Sequence, residues 1–268
     1  MSARARDADG RANSPTVHGR RRRAGRSPAR ACAAVVCAAA LVGTLAGCGG
    51  APEEAAERKP SGGPSTASAD ARHGDPRHVP GVGERYRAKI PRGSSQVVAV
   101  YGKGKDSAES TVRLLTRKGE RWTQQESWPA HNGRKGWAKD HREGDKRSPV
   151  GVFTLSDAGG VRSDPGAALP YTSSTAFTPP AYWPKKTRHD FDYVIAIDYN
   201  RVEGTSPLDP TRPEGETKGG SIWLHRDHGD GTSGCVTLSS AAMRHLLRTL
   251  DPDRKPVVVM GDRATLAG

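Results

Sequence analysis

Cysteine is scarce in this chain: of 268 residues only four are cysteine, and Cys235 is the only one after Cys48. A disulfide-stapled scaffold is therefore excluded for everything beyond residue 48, where a single thiol has no partner. Long apolar runs are also missing. The longest, Ala31 to Ala46, falls short of the roughly 20 residues that a membrane-spanning helix needs. No internal repeat is present, and no recognition-helix or RNA-binding signature accompanies the formal charge of +13. Residues 1–47 hold nine Arg and two Asp, which leaves +6 on the remainder. Nucleic acid is accordingly not an expected partner. A modest basic excess suits an anionic wall or lipid surface, or simply a solvated face.

What is present divides sharply along the chain. An Arg-rich start (Arg20 to Arg23, Arg26, Arg30) leads into Ala31 to Ala46 and then Leu45-Ala46-Gly47-Cys48, the pattern of an export signal. Its ending resembles a bacterial lipobox, which makes Cys48 the expected lipidated first residue and places the protein on the extracytoplasmic face of the membrane, facing the wall. An uncleaved anchor or an ordinary signal is the alternative, and both still export the body. From Gly49 to about Arg92 the composition is Ala, Gly, Pro, Ser, Glu and Arg, too polar to offset chain entropy. It reads as a tether with about 35 to 40 Å of typical reach. The expected organisation is a signal peptide over 1–47, a lipid-anchored linker over 48–92 and one domain over 93–268.

The domain reads as mainly β. Gln96 to Tyr101 and Thr111 to Thr116 are rich in β-branched residues, and Lys118-Gly119-Glu120 turns the second run into Arg121 to Ser127 as a hairpin. Further strands are expected at Gly151 to Leu155, Tyr193 to Asp198, Ser221 to His225 and Pro256 to Met260. One short C-terminal helix is expected over Ser240 to Leu250, with Met243, Leu246, Leu247 and Leu250 on one face and Ser239 or Ser240 as cap. Two long stretches, Ser156 to Asp190 and Asn200 to Gly220, are dense in Pro, Gly and Ser. Long loops in a compact domain are often functional, and Tyr171, Phe177, Tyr182 and Trp183 in the first can line a substrate groove or pin the loop to the core.

The lone thiol lies in Thr232-Ser233-Gly234-Cys235-Val236, ten residues after His225 at the end of Ser221-Ile222-Trp223-Leu224-His225. Small neighbours leave the sulfur approachable and can leave backbone N–H groups free for an oxyanion. A free thiol has a pKa of about 8.5, and an imidazolium neighbour lowers it, so a Cys–His pair makes attack at a carbonyl feasible. The histidine needs an orienter on its other nitrogen; Asp227 and the Arg226 carbonyl are both candidates. An inert buried Cys is the bland alternative. His228 with Asp227, Asp230 and Cys235 suggests a metal set, but this Gly-rich loop lacks a second Cys and a familiar metal-site spacing, so neither metal nor cofactor is expected.

Ile222-Trp223-Leu224-His225 followed by Thr232-Ser233-Gly234-Cys235-Val236 resembles the active-site signature of the peptidoglycan L,D-transpeptidase family. Gly144-Asp145-Lys146-Arg147-Ser148-Pro149-Val150-Gly151-Val152-Phe153 is similar to that family's earlier segment. With Gly133 to Trp137 and Tyr193 to Asn200, the similarity spans roughly residues 95–262. Ser233 stands where many members have His, Thr237 where Arg or Asn is common, and the His–Cys gap is short.

The resemblance implies a β-sandwich-like catalytic domain acting on peptidoglycan stem peptides, with carbapenem β-lactams as covalent inhibitors. It implies Cys235 as nucleophile, His225 as base and acid, and the Arg226 carbonyl as orienter. Gly234, Ser233 and the Cys235 backbone would surround the oxyanion, and Tyr182, Trp183 and Trp223 are groove candidates. The implied product is a 3→3 cross-link formed through a thioester; water as acceptor would make the same site an L,D-carboxypeptidase, and loss of turnover would leave a wall-binding lipoprotein of the same fold.

Overall fold

Val97-Val98-Ala99-Val100-Tyr101 has no polar residue to turn toward water, and the strand that contains it, β1 (Gln96–Gly102), is buried on both faces. In the computed structural model, which describes residues 75–268, Val98 and Val100 enter one apolar cluster and Val97, Ala99 and Tyr101 enter another. β1 pairs antiparallel with β2 (Glu109–Lys118), and a turn with Gly119 at φ 60° joins β2 to β3 (Arg121–His131). Two short strands follow, β4 (Trp137–Ala138) and β5 (Ser148–Pro149), paired in a sheet of their own. The other strands are β6 (Gly151–Thr154), β7 (Ala158–Gly160), β8 (Tyr171–Ser173), β9 (Val194–Ala196), β10 (Trp223–Arg226), β11 (Val236–Leu238) and β12 (Val257–Asp262). Ten strands form one mixed sheet in the order β6-β12-β1-β2-β3-β11-β10-β9-β7-β8. The fold is mainly β and sandwich-like, as expected.

Helix is confined to α1 (Glu84–Arg87), α2 (Ser240–Thr249) and α3 (Arg263–Ala267) among the described residues, so two helices join the single one expected. α2 forms because Ser239 caps it, its side-chain oxygen accepting the Ala242 N–H at 3.2 Å, and because Met243, Leu246 and Leu247 fall on one face. That face, with Leu250 just beyond the helix, packs in the cluster holding Leu224, Val236 and Leu238 of β10 and β11. No described helix is long and apolar enough to cross a membrane.

The expected tether ends earlier than residue 92. Val79, Val82 and Tyr86 are buried with Trp122 and Leu266 in the second cluster, and Ile90 packs on it. Four apolar residues spaced three or four apart were enough to dock α1 and its flanks onto the domain. The expected signal peptide, Cys48 and the linker up to residue 74 lie outside the described residues.

Candidate active site

Strand alternation decides which side chains meet. β10 and β11 run parallel with Leu224 level with Val236 and His225 level with Thr237. Leu224, Val236 and Leu238 turn into the core, so Trp223, His225, Cys235 and Thr237 share the opposite face. His225 and Cys235 thereby open on one cleft of about 310 Å³.

Cys235 is half-buried at the wall of the cleft. Its sulfur accepts the Trp223 N–H at 3.4 Å and donates to the Ser221 carbonyl at 3.5 Å. Ser221 reaches that position with a left-handed backbone, φ 53°, a conformation that costs about 1 to 2 kcal/mol and concentrates at functional sites. Gly234 sits in tight quarters: a Cβ there would lie 3.0 Å from Ile222 Cδ1 and 3.1 Å from the Arg147 carbonyl, so both would have to give by a few tenths of an ångström. Buried Ser148 ties the two sequence motifs together, accepting the Gly133 N–H at 2.9 Å and donating to the Gly234 carbonyl at 2.7 Å.

His225 is 3% exposed, with Nδ1 2.9 Å from the Arg226 carbonyl. The orienter left open between two candidates is thus the carbonyl, and Nε2 is the nitrogen left for chemistry. Asp227 is occupied elsewhere: its Oδ1 accepts from Thr237 Oγ1 at 2.8 Å and the Gly229 N–H at 3.1 Å, and lies 3.0 Å from His131 Nδ1. Thr237 therefore supports the loop after His225 from behind.

The electrostatics reverse the expected thiolate–imidazolium pair. Burial pushes the His225 imidazole down to about 4, and burial with the nearby Asp190 charge pushes the Cys235 thiol up to about 11. At neutral pH the pair is thiol and neutral imidazole, so His225 must take the proton as the sulfur attacks. No hydrogen bond joins the two side chains.

Two further expectations are corrected. The Gly234 N–H is committed to Thr232 Oγ1 at 3.1 Å, and that hydroxyl donates to the Cys235 carbonyl at 2.6 Å. This closes the turn and leaves the N–H groups of Cys235 and exposed Ser233 as the ones without an internal acceptor among the described residues. Of the groove aromatics only Trp183 lines the cleft. Tyr182 is 86% exposed outside it, and Trp223 packs edge-on against Phe177 and Phe191. Phe191, which sequence reading missed, lies 5.1 Å from the His225 ring and walls the cleft with Asp190, Lys186 and Arg134. His228 and Asp230 also line it, but no described group of three or more His, Cys, Asp or Glu side chains is arranged to hold a metal ion.

This layout, a histidine at a strand end and a thiol one residue before the neighbouring parallel strand, coincides with a family match over residues 105–259 to YkuD, the L,D-transpeptidase catalytic domain. The chain belongs to this family. Peptidoglycan stem peptides are the family's substrates, β-lactams its inhibitors, and its chemistry L,D-transpeptidation. No curated protein matches the chain. Solved structures similar to it include Bd1075 from Bdellovibrio bacteriovorus, at 16% identity with a TM-score of 0.37, and the helical cell shape determining protein Pgp2 from Campylobacter jejuni, at 16% with a TM-score of 0.38. Each alignment covers 63% of this chain and 48% of the other, so the chain spans about half the length of these structures.

Proposed function

We propose that the chain is an exported, lipid-anchored L,D-transpeptidase that makes 3→3 cross-links through a thioester on Cys235. The observation that carries this reading is that His225 and Cys235 line one cleft, with the His225 Nδ1 engaged by the Arg226 carbonyl. The sulfur attacks the carbonyl of the third residue of a donor tetrapeptide stem while His225 takes the thiol proton. The same proton then passes to the leaving D-alanine nitrogen as the C–N bond breaks. The Cys235 and Ser233 N–H groups meet the oxyanion, and Trp183 contacts the stem. A side-chain amine of a second stem resolves the thioester; water in its place gives L,D-carboxypeptidase trimming.

Incubation of the purified protein with a carbapenem and with a tetrapeptide stem tests the reading by intact mass. One covalent adduct is expected, lost in Cys235→Ala. No adduct from either reagent would leave a wall-binding domain without turnover as the answer. Products tell transfer from trimming: dimers linked 3→3 or released tripeptides.

A further inference from the structure

Two histidines open on the cleft, and they are held differently. His225 Nδ1 meets a neutral carbonyl, whereas His228 Nδ1 lies 2.9 Å from the carboxylate oxygen Oδ2 of Asp190. Asp190 is 2% exposed, and its Oδ1 is buried with no hydrogen-bond partner. Burial pushes the Asp190 carboxyl up to about 6, and its contact with His228 opposes that rise. The Asp190 carbonyl accepts the Arg226 N–H at 3.0 Å, fixing it to the end of β10 beside the His225 orienter. With Nδ1–H donated to Asp190, His228 offers Nε2 as a base, and that nitrogen has no partner among the described residues. The charged groups around the pair are Arg226 and Asp227 at the strand end and Arg134, Lys186 and Asp230 around the cleft.

The second half of acyl transfer needs such a group. A side-chain amine with a pKa of about 10.4 arrives as ammonium, without a lone pair. It must lose one proton before it attacks and another as the amide forms. His225 handles only the second, because it returns a proton to the departing sulfur.

We propose that His228, oriented by Asp190, is a second general base of this site, which takes the first proton from a primary ammonium acceptor. The proposal rests on the acyl-transfer reading above. The ammonium gives one proton to His228 Nε2, and the Asp190 carboxylate holds the imidazolium that results. The freed lone pair forms the C–N bond at the thioester carbon as the C–S bond breaks. The second proton passes through His225 to the sulfur, and His228 releases its own to solvent. Water already has a free lone pair and needs no such first step. His228 is then what favours an amine over water, and Asp190 is its positioning residue.

The test reads the ratio of transfer to hydrolysis when wild-type protein, His228→Gln and Asp190→Asn are acylated with a tetrapeptide stem and offered a second stem as acceptor. His228→Gln is expected to lower that ratio about 10- to 100-fold near neutral pH, and Asp190→Asn to lower it less. The loss is expected to vanish with trifluoroethylamine, a weak base that arrives uncharged, and to shrink as pH rises toward the acceptor's own pKa. A purely structural role lowers both products together and leaves the ratio within about twofold, which overturns the proposal. So does a ratio that falls equally for both amines. If His228→Gln unfolds with its carboxylate unpaired, Asp190→Asn/His228→Gln removes the buried charge and gives the same readout. A wild-type protein that forms no acyl adduct defeats the acyl-transfer reading and this proposal with it; an adduct with an unmoved ratio defeats this proposal alone.

Discussion

The two walls of the cleft are built by different means. One is the end of β10 and the start of β11, backed by Leu224, Val236 and Leu238 on the α2 cluster, and it carries His225 and Cys235. The other comes from the loop between β8 and β9, shaped by short 3₁₀ turns at Thr175–Phe177 and Lys185–Thr187, and presents Trp183 at 39% exposure. Groups that exchange a proton must be held within a fraction of an ångström, which packed strands supply. Contacts with a long stem tolerate a softer support. Asp190, at the loop's end, joins the two walls through Arg226 and His228.

The sharpest way to break this contrast is at the thiol. Cys235→Ala is expected to lower turnover of a tetrapeptide stem at least about a thousandfold while thermal unfolding stays within about 1 kcal/mol of wild type. A surviving rate would move the chemistry off the strand wall.

The second test is pH. With His225 at about 4 and the thiol at about 11, alkylation of Cys235 by iodoacetamide should rise steadily with pH through the alkaline range. A plateau reached below neutrality would mean a preformed thiolate–imidazolium pair. The same depression bears on stability. Between pH 6.5 and about 4 the unfolded chain binds a proton at this residue that the folded chain refuses, so stability falls as pH falls across that window. The loss is about 3 kcal/mol, and urea titrations of His225→Asn should lack it.

A smaller effect is expected at the strut behind the strand wall. Ser148→Ala leaves the buried Gly133 N–H and Gly234 carbonyl without their shared partner, costing about 2 kcal/mol in denaturant unfolding. Carbapenem acylation should slow with it as the Cys235 turn loosens. The loop wall should respond least. Trp183→Ala is expected to raise KM for the stem several-fold at nearly constant kcat, and Tyr182→Ala to change neither kinetics nor stability beyond about 0.5 kcal/mol. An equal loss at Tyr182 would show that the stem reaches beyond the cleft lined by Trp183.

Periodicity made much of the fold legible. The β-branched runs of β1 and β2, the turn at Gly119, and the helical face of α2 each announce themselves within a dozen residues. β4, β5, β7, β8 and β11 did not, because strands of two or three residues hold too few side chains to show an alternation. The segment from residue 75 to 92 hides its docking for a related reason: its apolar residues are diluted by Gly, Pro and Arg, and only the cluster that receives them makes their spacing meaningful.

The site divides along the same line. Sequence alone determined that one thiol and one nearby histidine were available in a small-residue turn, since composition and local spacing are properties of the chain. The tertiary structure decided the rest. It assigned the orienter to the Arg226 carbonyl by committing Asp227 to Thr237 and His131, took the Gly234 N–H out of the oxyanion role, and set the thiol and imidazole neutral. It also brought Asp190 against His228 from 38 residues away. Hydrogen-bond commitment and desolvation depend on which groups packing brings within a few ångströms, and no local pattern encodes that.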